Sequence, residues 1–159
     1  HAGERAAVIG QIHNALLVAK ICAYTQGFAL LKAPDTEHQW QLPMGTVASV
    51  WRAGCIIRAS LLEDIRQAHE REPALDNLLM DPHFAALMAR CQQDLREVVA
   101  LGALHGVAVP SFMSALSYYD AYRSARLPAN LLQAQRDYFG AHQYQRIDRP
   151  GKFHTQWAT

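Results

Sequence analysis

The spacing of apolar residues along the chain predicts helices almost throughout, because they recur every three or four positions and period-two alternation is nearly absent. The first stretch, from about Glu4 to Lys32, has apolar residues around most of its helical circumference, which predicts a long and largely buried helix. Pro34 and Pro43 then interrupt the pattern. We therefore expect a connection over residues 33–42, with Trp40 packed as an anchor.

The rest of the pattern predicts further helices and places their ends. One runs from about Pro43 to Arg71 and is weakened at Gly54. The clearest amphipathic helix has Asp81 as its N-cap, Pro82 in its first turn and Gly106 just after its end. Two more are expected over Pro110 to about Arg126 and over Pro128 to Tyr138, before a break at Gly140. The predicted fold is all-α, a multi-helix bundle of about six helices with the first at its centre.

Residues 144–159 differ in character from the helical part, residues 1–143. They are polar, are broken by Pro150 and Gly151, and carry aromatic side chains at Phe153 and Trp157. A segment with so little apolar surface does not fold by itself, so the two aromatic residues favour docking on another surface. We expect an extended C-terminal tail that docks on a partner subunit.

Composition narrows the class of protein without indicating an activity. The 159 residues are 50% hydrophobic and 18% charged, with a formal net charge of +1, which is typical of a globular domain and excludes a strongly basic nucleic-acid binder. Polar residues interrupt the apolar stretches, so no bilayer span is expected. Cys22, Cys55 and Cys91 stand singly within apolar patterns, which favours buried free thiols in a reducing cytoplasm over a metal or redox site.

The sequence carries no Gly-rich phosphate loop, nucleophile elbow or His-Glu-x-x-His pair. One local group of residues stands out, in the run from Gln133 to His142. Arg136 is expected in the last turn of a short helix and His142 just after Gly140, where a chain reversal would let both cations reach one small anion. The alternative is structural: Arg136 caps the helix and Asp137 pairs with a nearby base. The residues themselves leave both interpretations open.

Several segments together resemble a known family, the decarboxylating 6-phosphogluconate dehydrogenases, in its C-terminal part. They are Gln133–His142, Trp51–Arg58, Leu127–Leu131, Tyr24–Phe28 and Phe153–Trp157. The resemblance extends from about Glu4 to Trp157, and the ten-residue run around Arg136 is its most specific part. It implies a helical domain, formation of a homodimer, and a tail that passes into the partner subunit.

The resemblance also implies an activity and its site residues. Enzymes of this family oxidise and decarboxylate 6-phosphogluconate to ribulose 5-phosphate with NADP, in the pentose phosphate pathway of the cytoplasm. Their catalytic Lys and Glu and their Rossmann domain belong to segments upstream of this sequence, so no catalytic residue and no NADP contact is assigned here. Arg136 and His142 match the pair that binds the substrate phosphate from the neighbouring subunit. We expect a chain that is inactive alone.

Two considerations qualify this implication. Pro34 and Pro43 interrupt a region where relatives do not usually carry such a pair, so the first connection is expected to be rebuilt. The alternative to an enzyme fragment is a free-standing helical dimerisation module without catalysis. The enzyme fragment is favoured because both an Arg and a His stand at the positions that match the family motif, which a module without a catalytic role would not need to retain.

Overall fold

The computed structural model describes residues 2–52 and 59–157, and this part of the chain is almost entirely helical. Its α-helices are α1 (Ala2–His38), α2 (Met44–Arg52), α3 (Leu61–Arg71), α4 (Pro82–Leu104), α5 (Pro110–Tyr122) and α6 (Asn130–Gly140). A 3-10 turn lies at Leu78–Met80, and strands β1 (Tyr144–Gln145) and β2 (Lys152–Phe153) form an antiparallel hairpin. The chain divides into two compact units, residues 1–120 (the helical unit) and 121–159 (the C-terminal unit).

The prediction that α1 ends near Lys32 is wrong, because the helix continues through Pro34 to His38. Proline removes one helical hydrogen bond, the one to the carbonyl of Leu30, but Leu30 is exposed and its carbonyl can bind water. The helix ends instead where Gln39 adopts a left-handed conformation, with φ of 55°. Trp40 is not a packing anchor either, since it is 56% exposed and stacks only on His38 among the described rings.

One face of α1 packs along α4 and supplies much of the core of the helical unit. Its buried residues are Ala15, Val18, Ile21, Cys22, Thr25 and Phe28. A polar contact joins α1 to α4 at the edge of this face, where Nδ2 of Asn14 donates to Oδ2 of Asp94 at 2.7 Å. The opposite side of α1 carries exposed Ile9, Ile12 and Leu16. The expectation of a largely buried helix therefore holds for only one side.

The predicted continuous helix from Pro43 to Arg71 is also wrong. The structure has two helices in this region, because α2 ends at Arg52 and Ala59 and Ser60 are not helical before α3 begins. Gly54, where the sequence pattern weakens, lies outside the described residues. Glu63 of α3 accepts hydrogen bonds from Arg52 of α2 and from Arg66 one turn later, which joins the two helices.

The ends of α4 lie where the sequence places them. Oδ1 of Asp81 accepts hydrogen bonds from the backbone N–H groups of His83 (3.0 Å) and Phe84 (3.3 Å), so Asp81 is the N-cap and Pro82 the first helical residue. At the other end Gly106 has a φ of 69°, which glycine adopts without strain. Both predictions are confirmed.

Arg96 joins α4 to α5 through a bidentate ion pair with Asp120. Helix α5 ends at Tyr122 rather than near Arg126. Cys22 and Cys91 are buried free thiols, as predicted, whereas Cys55 lies outside the described residues. Within residues 2–52 and 59–157 no group of three or more His, Cys, Asp or Glu side chains could hold a metal ion.

Helix α1 is long and apolar enough to cross a membrane, judged by length and composition alone. Its best 18-residue window within Gly3–His38 has a mean hydropathy of 1.5. The central helix of a globular domain meets the same criterion, so this finding is weak support for a membrane span.

Candidate functional site

The C-terminal unit is organised around the end of α6. The helix includes Gly140, so the predicted break at this residue is wrong, and the chain turns one residue later at Ala141, whose φ is 48°. Gln143 is also left-handed, with φ of 64°. The imidazole of His142 lies next to Gly140, since a Cβ at Gly140 would be 3.4 Å from Cδ2 and Nε2 of its ring, a van der Waals contact.

Asp137 holds the residues that follow α6 in place. Its carboxylate is completely buried and accepts four hydrogen bonds. Oδ1 accepts from the backbone N–H of Gln143 at 3.1 Å and lies 2.9 Å from Nδ1 of His154. Oδ2 accepts from the backbone N–H of Thr155 at 2.9 Å and from Nε1 of Trp157 at 3.1 Å. The alternative that Asp137 pairs with a nearby base is confirmed, with His154 as that base.

These donors decide the charge state of the buried carboxyl. Burial by itself raises the pKa of Asp137, but hydrogen bonds from His154, Thr155 and Trp157 outweigh it and lower the pKa to about 2. The carboxylate is therefore charged at neutral pH. A negative charge in the last turn of a helix is unfavourable to the helix dipole, and the four donors offset this cost.

The hairpin aligns the tail residues in a fixed register. Tyr144 is paired with Phe153, and Gln145 with Lys152. An ion pair lies within the turn that joins the strands, where the guanidinium of Arg146 donates two hydrogen bonds to the carboxylate of Asp148, at 2.7 and 2.6 Å. A further cation is stacked on the hairpin: the guanidinium carbon of Arg149 lies 4.5 Å from the centre of the Phe153 ring. The predicted tail is thus folded against α6 of its own chain through Asp137.

An open pocket of about 390 Å³ lies beside this hairpin. It is lined by Gln133, His142, Gln143, Tyr144, Gln145 and Lys152. His142 is therefore in a pocket, as an anion-binding role requires, but Arg136 is not among the lining residues. Arg136 lies on α6 three residues after Gln133, which places the two side chains on the same helix face.

Both predicted site residues are exposed. Arg136 lies one residue before the last turn of α6, not within it, so a role in capping the helix end is not supported. Within the part of the chain that the structure describes, the side chains of Arg136 and His142 have no hydrogen bond or ion pair to another residue. Both side chains are therefore available to a ligand, and only His142 belongs to the pocket lining.

Comparison with known proteins identifies the fold. A family model described as "6-phosphogluconate dehydrogenase, C-terminal domain" matches residues 1–157. The chain belongs to this family. It is 54% identical over 150 residues to the NADP(+)-dependent, decarboxylating 6-phosphogluconate dehydrogenase of Bacillus subtilis (strain 168), an alignment that covers 94% of the chain and 32% of that enzyme. A decarboxylating relative from Lactococcus lactis subsp. lactis is 51% identical over 157 residues, covering 99% of the chain and 33% of the relative.

A solved structure supports the same assignment. The chain superposes on 6-phosphogluconate dehydrogenase of Plasmodium falciparum with a TM-score of 0.87 and 41% identity, covering 94% of the chain and 32% of that protein. That enzyme was solved in its apo form, with its cofactor NADP+ and with its substrate 6-phosphogluconate. The chain thus spans about a third of the length of the relatives it matches. The predicted resemblance and the all-helical fold class are confirmed.

The described residues do not form a self-contained dinucleotide site. The strands among them are two residues long and form a single hairpin, so no strand-turn-helix unit with a Gly-rich turn is present in residues 2–52 or 59–157. No contact to NADP is assigned to any residue here.

Proposed function

We propose that this chain is the C-terminal portion of a cytoplasmic, NADP-dependent, decarboxylating 6-phosphogluconate dehydrogenase, in which it provides the dimer interface and binds the phosphate of the substrate. By itself the chain is inactive, since the cofactor and the reacting groups are held by other segments of the enzyme. The family match over residues 1–157 carries this proposal.

The phosphate would be bound by Arg136 and His142. Arginine presents a planar fork of donors that matches phosphate oxygens, and a phosphate dianion favours the protonated form of a neighbouring histidine. Asp137, which lies between them in sequence, does not compete for these cations because its carboxylate is buried and saturated by four other donors. Held at its non-reacting end, the substrate would be oriented for reaction at the carbon chain.

Two features of the surface support a homodimer. Ile9, Ile12 and Leu16 are 57%, 45% and 49% exposed and lie on one side of α1, where an apolar patch of this kind is typical of a protein interface. The charges of the two units are also opposite. Residues 121–159 carry six Lys and Arg against two Asp, whereas residues 1–120 carry nine Lys and Arg against twelve Asp and Glu. The C-terminal unit of one copy is thus complementary in charge to the helical unit of another.

A chimeric enzyme tests the proposal. The corresponding third of the Bacillus subtilis relative is replaced by this chain, and 6-phosphogluconate oxidation is followed as NADPH formation. We expect an active chimera. Arg136→Ala should raise the KM for 6-phosphogluconate about tenfold or more and leave the KM for NADP unchanged, because a charge-assisted hydrogen bond to the phosphate contributes about 1.5–3 kcal/mol.

Arg126→Ala is the matched control, since Arg126 is exposed in the same unit. It should leave both KM values as they are. If Arg136→Ala and His142→Ala behave like this control, the two residues do not bind the phosphate. If the chimera is inactive although the isolated chain dimerises, the chain is a dimerisation module without a part in catalysis.

A further inference from the structure

The hairpin of the C-terminal unit carries a further cation, Lys152, in addition to the arginines of its turn. Arg146 is bound to Asp148, and Arg149 is stacked on Phe153. Lys152 is exposed and has no carboxylate partner within the described residues. It lines the same pocket as His142. The ammonium group of Lys152 therefore lies at the same pocket as the imidazole of His142 and has no carboxylate partner among the described residues.

The hairpin register places Lys152 directly opposite Gln145, another residue of the pocket lining. Successive side chains of a strand point to opposite faces, and directly paired residues share a face. Tyr144 and Phe153 form one such pair, with ring centres 6.3 Å apart, while Gln145 and Lys152 form the next. Gln145 and Lys152 therefore share one face of the hairpin, and both line the pocket together with Tyr144 of the neighbouring pair.

The chemistry of the pocket favours a negatively charged ligand. Lys152 supplies an ammonium group and His142 an imidazole, and the glutamines of the lining can donate through their amides. The hydroxyl of Tyr144 shares a hydrogen bond of 2.8 Å with Oγ1 of Thr155. None of the residues that line the pocket is acidic. The carboxylates of this unit in the described range are elsewhere engaged, that of Asp137 with its four donors and that of Asp148 with Arg146.

We propose that Lys152 is a third cationic ligand of the anion site at His142 and makes the site select dianionic phosphate groups over monoanions. This inference rests on the proposed function, since it concerns the same phosphate. Lysine acts here as a mobile point charge at the mouth of the pocket, so it adds attraction for a second negative charge without the fixed geometry of an arginine fork.

Titration of the isolated chain with inorganic phosphate tests the inference, followed by the NMR signals of the His142 ring. At pH 8, where phosphate is mostly a dianion, wild type should show saturable shifts. Lys152→Gln should weaken phosphate binding about two- to fivefold, the loss expected for one exposed charge contact that solvent and salt screen. Lys152→Arg should restore most of it. Lys20→Gln, which removes an exposed lysine from α1, is the matched control and should bind like wild type.

Selectivity is measured by repeating the titration with acetate as a monoanion. The ratio of phosphate to acetate affinity should fall in Lys152→Gln and not in Lys20→Gln. If Lys152→Gln keeps wild-type affinity and selectivity while Arg136→Ala weakens binding, the role of Lys152 is refuted and the proposed phosphate site stands. If wild type shows no saturable shift at all, both are refuted for this chain.

Discussion

Nδ1 of His154 lies 2.9 Å from Oδ1 of Asp137, and this contact ties the end of the chain to α6. Together with the bonds from Thr155 and Trp157 it makes one buried carboxylate the anchor of the whole tail. In the same short segment, the carboxylate of Asp137 is buried, whereas the side chains of Arg136 and His142 are exposed. The predicted anion site depends on this arrangement for its shape.

Replacement of Asp137 by alanine should release the tail. The change leaves the backbone N–H of Thr155 and the indole N–H of Trp157 without their acceptor, and unpaired buried donors are costly. We expect hydrogen exchange at these two positions to accelerate about tenfold or more, while exchange in α4 stays unchanged. Exchange measured by NMR checks both expectations.

Asp148→Ala is the matched control for this change. Asp148 also belongs to the C-terminal unit and is paired with an arginine, but it is exposed. Its removal should leave exchange at Thr155 near the wild-type rate. Equal protection of Thr155 in wild type and Asp137→Ala would show that the carboxylate does not anchor the tail.

The attachment of the tail should also depend on acid pH. The pKa of Asp137 is lowered from 3.8 in the unfolded chain to about 2, so the folded state holds the proton less tightly. Stability from this carboxylate is therefore fully present above pH 3.8 and is lost as the pH falls through about 2. Fluorescence of Trp157, in a variant that lacks the other tryptophans, should report release of the tail in this range and no change between pH 5 and 7. Release already complete at pH 4 would contradict the prediction.

The sequence alone predicted the elements whose ends depend on local chemistry. Asp81 and Pro82 indicate where α4 begins, and Gly106 indicates where it ends. These ends can be predicted because a helix cap involves residues that are close together in the sequence. Pro34 gave a wrong prediction, because a proline disfavours a helix interior without always ending the helix, and α1 continues through it to His38. The break predicted at Gly140 was also wrong, because the left-handed residue that ends α6 is Ala141.

The candidate site was predictable only in part. Arg136 and His142 were predicted from a specific motif and from the resemblance of the chain to the family, and their role in binding an anion stays a prediction. The burial of Asp137 has no local signal, because its donors come from residues 143–157 and depend on the folding of the tail. The proximity of Lys152 to the pocket has no local signal either, because it depends on the hairpin pairing that places Lys152 opposite Gln145.

His69 should make the helical unit less stable in mild acid. It is 7% exposed, and neither ring nitrogen has a hydrogen-bond partner among the described residues. Burial lowers the pKa of His69 below its usual 6.5, and nearby Lys32 lowers it further, against an opposing effect of Asp81. Since the folded state resists protonation, stability is fully present above about pH 6.5 and is lost as the pH falls toward the lower folded pKa.

Thermal unfolding at pH 7.5 and 5.5 measures this effect in wild type and in His69→Leu. The substitution removes a buried group whose unpaired polar atoms cost about 1–3 kcal/mol, so the variant should be at least as stable as wild type at pH 5.5 and show a flatter pH profile. His13→Leu, which replaces an exposed histidine of α1, is the control and should keep the wild-type slope. An unchanged slope in His69→Leu would refute the assignment.

The two described cysteines should be inert in the native protein. Cys22 and Cys91 are buried in the core, and burial raises the pKa of Cys22 to about 11, so its reactive thiolate is scarce at neutral pH. In a Cys55→Ser background, a thiol reagent at pH 8 should label neither residue within minutes, and both after unfolding in guanidinium chloride. Rapid labelling of Cys22 in the native protein would show that α1 separates readily from α4.

The exposed apolar side of α1 should control self-association. A dimer of the 17.7 kDa chain is expected in sedimentation experiments. Leu16→Glu should raise its dissociation constant about thirtyfold or more, because it would bury an unpaired charge in an apolar contact, at a cost of about 2 kcal/mol or more. Leu104→Glu makes the same chemical change at the end of α4, where the side chain is 82% exposed, and should leave the dimer intact. Helical content should be equal in both variants, since neither leucine is buried within the chain. If Leu16→Glu remains dimeric, the exposed side of α1 lies outside the interface, and the charge complementarity between the two units becomes the better guide to the contact.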